Sequence, residues 1–320
     1  MASSAITATS AEREVDRYLE AERALWAHYG LQPKEQFLKL EEPAARLRVL
    51  EFGEGEPVLF VHGTAGPGSW ASLVSELRGF RCLVLDRPGW GLSSAIDFSN
   101  YEPKSLAVDV LRGVLDALGL ARAHILGASI GNVWALGLAA QHPSRVDRVV
   151  LLGGSPLVPE IPVPKIIRLL ASPLGALMVR LPDKPARIRS ILRQNGHGPS
   201  LDAGRIPDEF VDWRVTLGRE TDSMRNERDM VRASVVSGGS WQPGVTFDAT
   251  ELRSLERPAL YVYGSADPVG SADVWKRTVS MLPRGDLHLV NGGGHMPWFD
   301  APEEIGADVS RFLGEERTSS

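Results

Sequence analysis

Apolar and polar positions along the chain follow two alternating patterns. Short, almost wholly apolar runs, which are typical of fully buried parallel strands, occupy residues 58–61, 82–85, 125–126, 149–152 and 259–263. Helical patterns of apolar residues lie between them, over residues 69–77, 104–118, 130–141, 272–281 and 302–313. Residues 46–52 alternate apolar and polar side chains, as a half-exposed strand does. This alternation of strand and helix predicts an α/β protein with a doubly wound, mostly parallel sheet.

The first segment of the chain departs from this alternation. Residues 11–29 place apolar side chains at helical spacing, and Gly30 follows as a stop signal. Glu22 falls on the same apolar stripe and interrupts it. We therefore expect residues 1–45 to consist of a tail and an amphipathic helix that lies on the main body.

A second departure lies between residues 155 and 245. This stretch holds ten prolines and several amphipathic helical patterns but no clear strand, and strand signals resume at Pro258. An all-helical insertion between two strands of one sheet explains the pattern better than a second independent domain. The predicted core is therefore split into residues 46–154 and 246–320, with a helical cap over residues 155–245.

Charge and cysteine content exclude several classes of protein. The 320 residues include 35 Lys and Arg against 40 Asp and Glu, which gives a formal net charge of −5. Such a chain lacks the basic excess that nucleic-acid binders carry. The single cysteine, Cys82, excludes an intramolecular disulfide and multi-cysteine metal sites. We expect a small-molecule substrate and no cofactor or metal, while a monomer and a homodimer both remain open.

The sequence shows neither a secretory signal nor a membrane-spanning pattern. Residues 1–10 lack the basic and apolar regions of a signal peptide. Residues 123–144 contain no Asp, Glu, Lys or Arg, but their polar side chains and three glycines would make a bilayer helix costly. We therefore expect a cytoplasmic protein without stable membrane insertion.

The pattern that points to chemistry is Gly-Ala-Ser-Ile-Gly at residues 127–131, which follows a buried strand and precedes a helical pattern. A serine on so sharp a turn is strained, and the positions two before and two after it must lack bulk because strand and helix backbones converge there. The helix that follows directs its first N–H groups towards an oxyanion formed beside the serine. These features predict Ser129 as a nucleophile.

A serine hydroxyl needs a base, and the base needs an acid that orients it. Of the seven histidines, His295 lies in a glycine-rich loop after a strand pattern, which places it at the sheet edge where α/β proteins form ligand sites. Asp267 lies just past another buried strand, at the same edge. The chain order Ser129, Asp267, His295, each after its own strand, predicts a catalytic triad.

The loop His-Gly-Thr-Ala-Gly at residues 62–66, after the first buried strand, completes the predicted site. The backbone N–H groups of Thr64 and Ile130 are expected to form an oxyanion hole, a pair of donors that stabilises the negative charge of the transition state. His62 is interpreted mainly as a residue that holds this loop.

Together these motifs resemble the α/β-hydrolase superfamily, in the branch whose lid is inserted after the sixth strand. The resemblance rests on His-Gly-x-x-Gly at 62–66, Asp-Arg-Pro-Gly-x-Gly-x-Ser at 86–93, Gly-x-Ser-x-Gly at 127–131, the turn at Asp267, and Gly-Gly-His at 293–295 followed by Met-Pro-Trp. It covers roughly residues 46–314 and implies eight strands, helices on both sheet faces and catalysis by the predicted triad. Haloalkane dehalogenases and epoxide hydrolases are excluded, because they carry an aspartate where this chain has Ser129.

The resemblance implies acyl transfer through an acyl-enzyme on Ser129. Our leading expectation is a carboxylic-ester hydrolase with a small or medium, mainly apolar substrate, and lactones are a close variant. The same triad also serves carbon–carbon bond hydrolases of aromatic ring-cleavage products and haloperoxidase-like perhydrolases. A ligand-binding receptor on the same scaffold is an alternative from a different class. Ring-cleavage products carry carboxylates, so an inward-facing cap arginine would favour the carbon–carbon bond hydrolase.

Substrate contacts are expected from three side chains, Trp298, Trp213 and His62. Apolar residues of the cap are further candidates, although helix packing also explains them: Ile166, Ile167, Leu169, Leu170, Leu174, Leu177, Met178 and Leu181. A basic run in the cap is a candidate for attracting an anion, although a solvated helix face explains it as well: Arg180, Lys184, Arg187, Arg189 and Arg193.

Overall fold

One eight-stranded sheet organises the fold. The computed structural model describes residues 10–236 and 239–315. The strands are β1 (Lys34–Leu40), β2 (Ala45–Phe52), β3 (Glu56–Val61), β4 (Phe80–Leu85), β5 (Ala123–Ala128), β6 (Val146–Leu152), β7 (Ala259–Gly264) and β8 (Gly285–Val290), in the spatial order β1-β2-β4-β3-β5-β6-β7-β8. Strand β2 is antiparallel to β1 and β4, and all other neighbours pair in parallel. The predicted α/β class with a mostly parallel sheet is confirmed.

Helices cover both faces of this sheet. They are α1 (Ser10–His28), α2 (Ala71–Val74), α3 (Pro103–Ala117), α4 (Ile130–Gln141), α5 (Lys165–Ala171), α6 (Pro173–Met178), α7 (Pro185–Leu192), α8 (Gly198–Asp202), α9 (Asp208–Glu220), α10 (Ser223–Ser234), α11 (Ala249–Arg253), α12 (Ala272–Ser280), α13 (Pro297–Asp300) and α14 (Pro302–Gly314). Helices α3, α4 and α12 pack in one apolar cluster, whereas α1, α2, α13 and α14 pack in another. Along β3, Val58 joins the second cluster and Leu59 the first, because successive strand side chains point to opposite faces.

None of the described helices is both long enough and apolar enough to cross a membrane. The cytoplasmic location stays a prediction. Cys82 lies buried in β4, where burial raises the pKa of its thiol to about 12.

The stretch between β6 and β7 contains helices α5 to α11. Prolines punctuate it: Pro173 begins α6 and Pro185 begins α7, positions at which the missing N–H of proline costs no helical hydrogen bond. Among the described residues of this stretch, β pairing is limited to one isolated bridge between Val235 and Trp241. The described part of this stretch is therefore mainly helical, while the boundaries of the cap at residues 155 and 245 stay a prediction.

Strand β1 has no counterpart among the predicted elements. Lys34, Glu35 and Lys39 are exposed on it, so the segment lacks the apolar run of a buried strand. Leu38 and Leu40 are nevertheless buried against the core. The strand lies at the edge of the sheet, where charged side chains discourage pairing with another chain.

Glu22 does not interrupt the packing of α1, because it is buried and paired with a cation. The guanidinium of Arg48 in β2 lies 2.5 Å from Glu22 (Nη2 to Oε2), 2.5 Å from Glu35 (Nε to Oε1) and 3.4 Å from Asp86 (Nη1 to Oδ2). The hydroxyl of Tyr18 donates to Glu22 Oε1 at 2.7 Å. This charged cluster joins α1 to the sheet and to the Asp-Arg-Pro-Gly turn at 86–89.

The pKa of the Asp86 carboxyl is raised to about 7, and burial is the largest cause. The positive charge of Arg48 lowers this pKa but does not cancel the effect of burial, and the negative charge of Glu22 raises the pKa further. Arg48→Met should therefore lower the free energy of unfolding at pH 8 by about 3–5 kcal/mol, because two buried carboxyls lose their cation. The loss should shrink towards pH 5, where carboxyls without a cation take up protons in the folded state. Urea denaturation at both pH values measures it.

Arg112→Met is the matched control, since Arg112 pairs with Asp109 on the exposed surface of α3 (3.1 Å). Its stability should change by less than about 0.5 kcal/mol. A loss of that small size in Arg48→Met would contradict a structural role for the charged cluster.

Candidate active site

Ser129 lies on the turn between β5 and α4. Its φ of 54° and ψ of −122° make it the one non-glycine residue with positive φ among those the structure describes. Hydrogen bonds to the β6 end hold the turn: the Ser129 N–H donates to the Leu152 carbonyl (3.1 Å), and the Ser155 hydroxyl donates to the Ser129 carbonyl (2.7 Å). A strained conformation that the surroundings maintain in this way is typical of functional residues.

Close backbone approach explains the glycines beside Ser129. A Cβ atom on Gly127 would lie 2.5 Å from the Gly131 carbonyl oxygen, and one on Gly131 would lie 2.1 Å from the Val61 carbonyl oxygen. Both distances are far below van der Waals contact, so neither position accepts a larger residue. Gly63, in the loop after β3, also approaches Ser129 closely, since a Cβ on Gly63 would lie 2.7 Å from Ser129 Cβ.

The predicted acid and base are in contact. His295 Nδ1 lies 2.9 Å from Asp267 Oδ2 and 3.0 Å from Oδ1. Asp267 is itself fixed, because its carboxylate accepts from the N–H of Gly154 (2.6 Å) and of Val269 (2.8 Å). Burial lowers the pKa of His295, but the charge of Asp267 and its hydrogen bond outweigh that influence, and the pKa is raised above its ordinary value.

A cavity brings Ser129, His295 and Thr64 together, since all three line it. The amide of Ile130, as the first residue of α4, has no acceptor within its own helix. The carboxyl ends of β3, β5, β7 and β8 therefore deliver the predicted nucleophile, base, acid and oxyanion donors to one region. Their catalytic roles stay predictions.

The three predicted substrate contacts differ in position. Trp298 lines the cavity, with its Nε1 donating to the Ser69 carbonyl (2.6 Å). His62 and Trp213 are buried and are not among the lining residues. His62 instead accepts the Arg87 N–H at Nε2 (3.2 Å), its Nδ1 donates to the Gly63 carbonyl (2.7 Å), and burial lowers its pKa well below the ordinary value. It holds loops together, as the main interpretation of its motif expects.

The cap contributes a different set of side chains from the predicted one. The lining residues between β6 and β7 are Ile188, Ile191, Leu192, Asn195, Phe210 and Arg214. None of the eight predicted apolar residues lines the cavity, and four of them are exposed: Ile166, Leu174, Leu177 and Leu181. Much of the basic run is paired with acids. Arg189 and Arg193 pair with Asp208 and Asp202 at the surface, and Arg187 pairs with the buried Asp183.

Arg214 is the functional candidate that the sequence patterns missed. It is buried, it lines the cavity, and it lies one helical turn after Phe210 on α9, so the i, i+4 spacing was the available signal. Its Nη1 has no hydrogen-bond partner among the described residues and lies 3.6 Å from Asp183 Oδ2, while Nη2 contacts the Met224 sulfur at 2.9 Å. Burial lowers the pKa of this guanidinium. A buried cation with an unused donor at a cavity is suited to an anionic ligand.

Known proteins match this chain over most of its length. Residues 56–302 match the family model described as alpha/beta hydrolase fold. The chain is 29% identical over 279 residues to a 2-hydroxy-6-oxononadienedioate/2-hydroxy-6-oxononatrienedioate hydrolase of Cupriavidus pinatubonensis, covering 84% of this chain and 91% of the relative. It is 26% identical over 280 residues to a 2-hydroxy-6-oxo-6-phenylhexa-2,4-dienoate hydrolase of Burkholderia cepacia, with the same coverage.

Among solved structures, naproxen esterase from Bacillus subtilis superposes with a TM-score of 0.75 at 17% identity, covering 96% of this chain and 100% of the esterase. At that identity the likeness shows the fold alone. The expectation of carboxylic-ester hydrolysis is wrong: the curated relatives are named as hydrolases of 2-hydroxy-6-oxo dienoates, which correspond to the ring-cleavage alternative.

Covalent labelling of Ser129 by a fluorophosphonate tests the base without any assumption about substrate. Because His295 accepts a proton only when its imidazole is neutral, the labelling rate should fall as the pH drops through its raised pKa, with a midpoint above pH 6.5. Asp267→Asn removes the negative charge that raises this pKa. The midpoint should then move to lower pH, and the plateau rate should fall by roughly 10³–10⁴-fold.

Asp273→Asn, at an exposed position of α12, is the control and should leave the profile unchanged. An identical midpoint in Asp267→Asn and in the unaltered protein would show that Asp267 does not act on the base.

Proposed function

The chain belongs to the α/β-hydrolase fold family and is a hydrolase, and we propose that it cleaves a carbon–carbon bond in 2-hydroxy-6-oxo dienoates. Ser129 acts as nucleophile, His295 as general base and Asp267 as the acid that orients it. The amides of Thr64 and Ile130 bind the oxyanion. The observation that carries the choice of substrate is Arg214.

A 2-hydroxy-6-oxo dienoate ends in a carboxylate, whereas a simple ester or lactone carries no charge. The guanidinium of Arg214 is desolvated at the cavity, and no protein oxygen satisfies its Nη1 among the described residues. A substrate carboxylate would supply charge-assisted hydrogen bonds, which are about twice as strong as neutral ones. Arg214 thus supports a carboxylate-bearing substrate and orients its chain towards Ser129.

Carbon–carbon cleavage requires an electron sink beside the bond that breaks. Transfer of the 2-hydroxyl proton to carbon 5 converts the dienol into a 2-oxo-3-ene, whose carbonyl can take up the electron pair left on carbon 5. His295 then takes the Ser129 proton as Oγ attacks the 6-oxo carbon, and the amides of Thr64 and Ile130 stabilise the oxyanion. Cleavage between carbons 5 and 6 leaves an acyl group on Ser129, and the leaving dienolate takes up the proton held by His295 and departs as a dienol. Neutral His295 then deprotonates a water molecule, which attacks the acyl group, and the proton returns from His295 to Ser129 Oγ as the acid is released.

Turnover of 2-hydroxy-6-oxo-6-phenylhexa-2,4-dienoate tests this function. The two readouts are the loss of the dienoate absorbance and the formation of benzoate. Ser129→Ala should abolish steady turnover. Arg214→Gln should lower kcat/KM by about 10–150-fold, since a hydrogen bond to a charged group contributes about 1.5–3 kcal/mol.

Arg225→Gln is the matched cap variant, because Arg225 pairs with Asp222 on the surface (2.6 Å). It should keep turnover within about twofold. A protein that labels at Ser129 but hydrolyses neither the phenyl substrate nor 2-hydroxy-6-oxononadienedioate would overturn the proposal. Equal losses in Arg214→Gln and Arg225→Gln would remove the role of Arg214.

A further inference from the structure

The loop that carries His295 is held by hydrogen bonds from three consecutive backbone amides. The N–H of Gly294 donates to Asp300 Oδ2 (2.7 Å), that of His295 to the Asn195 carbonyl (2.8 Å), and that of Met296 to His197 Nε2 (3.1 Å). Two of these three acceptors belong to the segment Arg193–His197, which lies between α7 and α8 in the stretch inserted after β6. The backbone around the base is therefore held from outside its own loop.

The ring of His197 has a defined tautomer. Its Nε2 accepts the Met296 N–H, so Nε2 carries no proton and Nδ1 must carry one. Nδ1 lies 3.0 Å from Asp300 Oδ2 and 3.1 Å from Oδ1, and the Ser200 hydroxyl donates to the same carboxylate at 2.5 Å. Asp300 thus accepts from His197 on one side and from Gly294 on the other. It selects the tautomer that allows His197 to hold Met296.

The packing at this junction leaves no room for side chains. A Cβ on Gly294 would lie 2.4 Å from the Asn195 carbonyl oxygen and 2.7 Å from His197 Cε1. Gly196, with φ 91°, approaches the acid turn in the same way, since its Cβ would lie 2.6 Å from the Ala266 carbonyl oxygen. The segment Arg193–His197 therefore contacts both the loop of the base and the turn of the acid.

We propose that His197 and Asp300 are positioning residues, through which the segment Arg193–His197 fixes the backbone of the His295 loop and so aligns the base with Ser129. The proposal rests on the catalytic roles given above for Ser129 and His295, but not on the identity of the substrate. Asn195 also lines the cavity, so the segment that holds the backbone of the base contributes to the cavity wall as well.

Two measurements test this role: the rate at which a fluorophosphonate labels Ser129, and the turnover of 2-hydroxy-6-oxo-6-phenylhexa-2,4-dienoate. Both are made on the full chain below its melting temperature. His197→Phe keeps an aromatic ring but loses the acceptor for the Met296 N–H, and should lower both the labelling rate and kcat by about 10–100-fold with little change in KM, as a misplacement of about 1 Å does. Asp300→Asn should give a similar loss, because it no longer favours the Nδ1-protonated ring. His197→Gln retains an acceptor near the Nε2 position and should recover most of both rates.

His288→Gln is the matched control, since His288 in β8 pairs with Glu304 at the surface (3.1 Å) and should keep both rates. A folded His197→Phe variant that labels at the unaltered rate would overturn the proposal, as would equal losses in the Phe and Gln variants. If labelling falls in His197→Phe while the unaltered protein hydrolyses no dienoate, the positioning role stands and the proposed function fails. If Ser129 of the unaltered protein is not labelled at all, both fail.

Discussion

The candidate site depends on one strained backbone position, the positive-φ conformation of Ser129. Such a conformation in a non-glycine residue costs about 1–3 kcal/mol and persists only where neighbouring groups hold it. Here the Leu152 carbonyl and the Ser155 hydroxyl hold it from β6. The same β6 end reaches Asp267, because the Gly154 N–H donates to its carboxylate. A single strand end therefore sets the relative position of Ser129 and Asp267.

The buried arginines Arg48, Arg87 and Arg214 differ in how closely carboxylates approach their guanidinium groups. Arg48 is surrounded by carboxylates, and Arg87 lies 2.9 Å from Glu227, which also accepts from the Trp90 indole at 2.8 Å. These pairs tie α1 and α10 to the sheet, and each of the two guanidinium groups has a carboxylate within 3 Å. Arg214 differs, because its nearest carboxylate lies beyond hydrogen-bond distance and its side chain faces the cavity. The contrast separates a cation that supports the fold from one suited to a ligand.

The sequence predicted what local patterns determine. Apolar runs and glycine spacing located the buried strands, the turn at Ser129 and the two loops of His295 and Asp267, because each signal lies within a few residues of its element. It missed β1, whose charges face solvent, and it treated Glu22 as a defect, because its partner Arg48 lies on another element. The ester expectation failed for a related reason. The motifs around Ser129, Asp267 and His295 are the same for ester and carbon–carbon bond hydrolases, so they do not distinguish the two reactions. The position of Arg214 at the cavity, on which the proposed substrate rests, depends on the packing of distant elements and is not readable from these motifs.

The contacts of His197 and Asn195 connect the stretch inserted after β6 to the loop of His295. An inserted cap is usually regarded as the wall of a pocket, and its substitutions are expected to change KM. In this protein the segment Arg193–His197 supplies an acceptor to the His295 N–H and another to the next amide. A change of cap conformation that admits a new substrate therefore also moves the base, unless Asp300 and the glycines of the loop keep their contacts. With the roles proposed above for His295 and His197, these few hydrogen bonds would couple substrate range to catalytic rate, and the residues that form them would be constrained without touching the substrate.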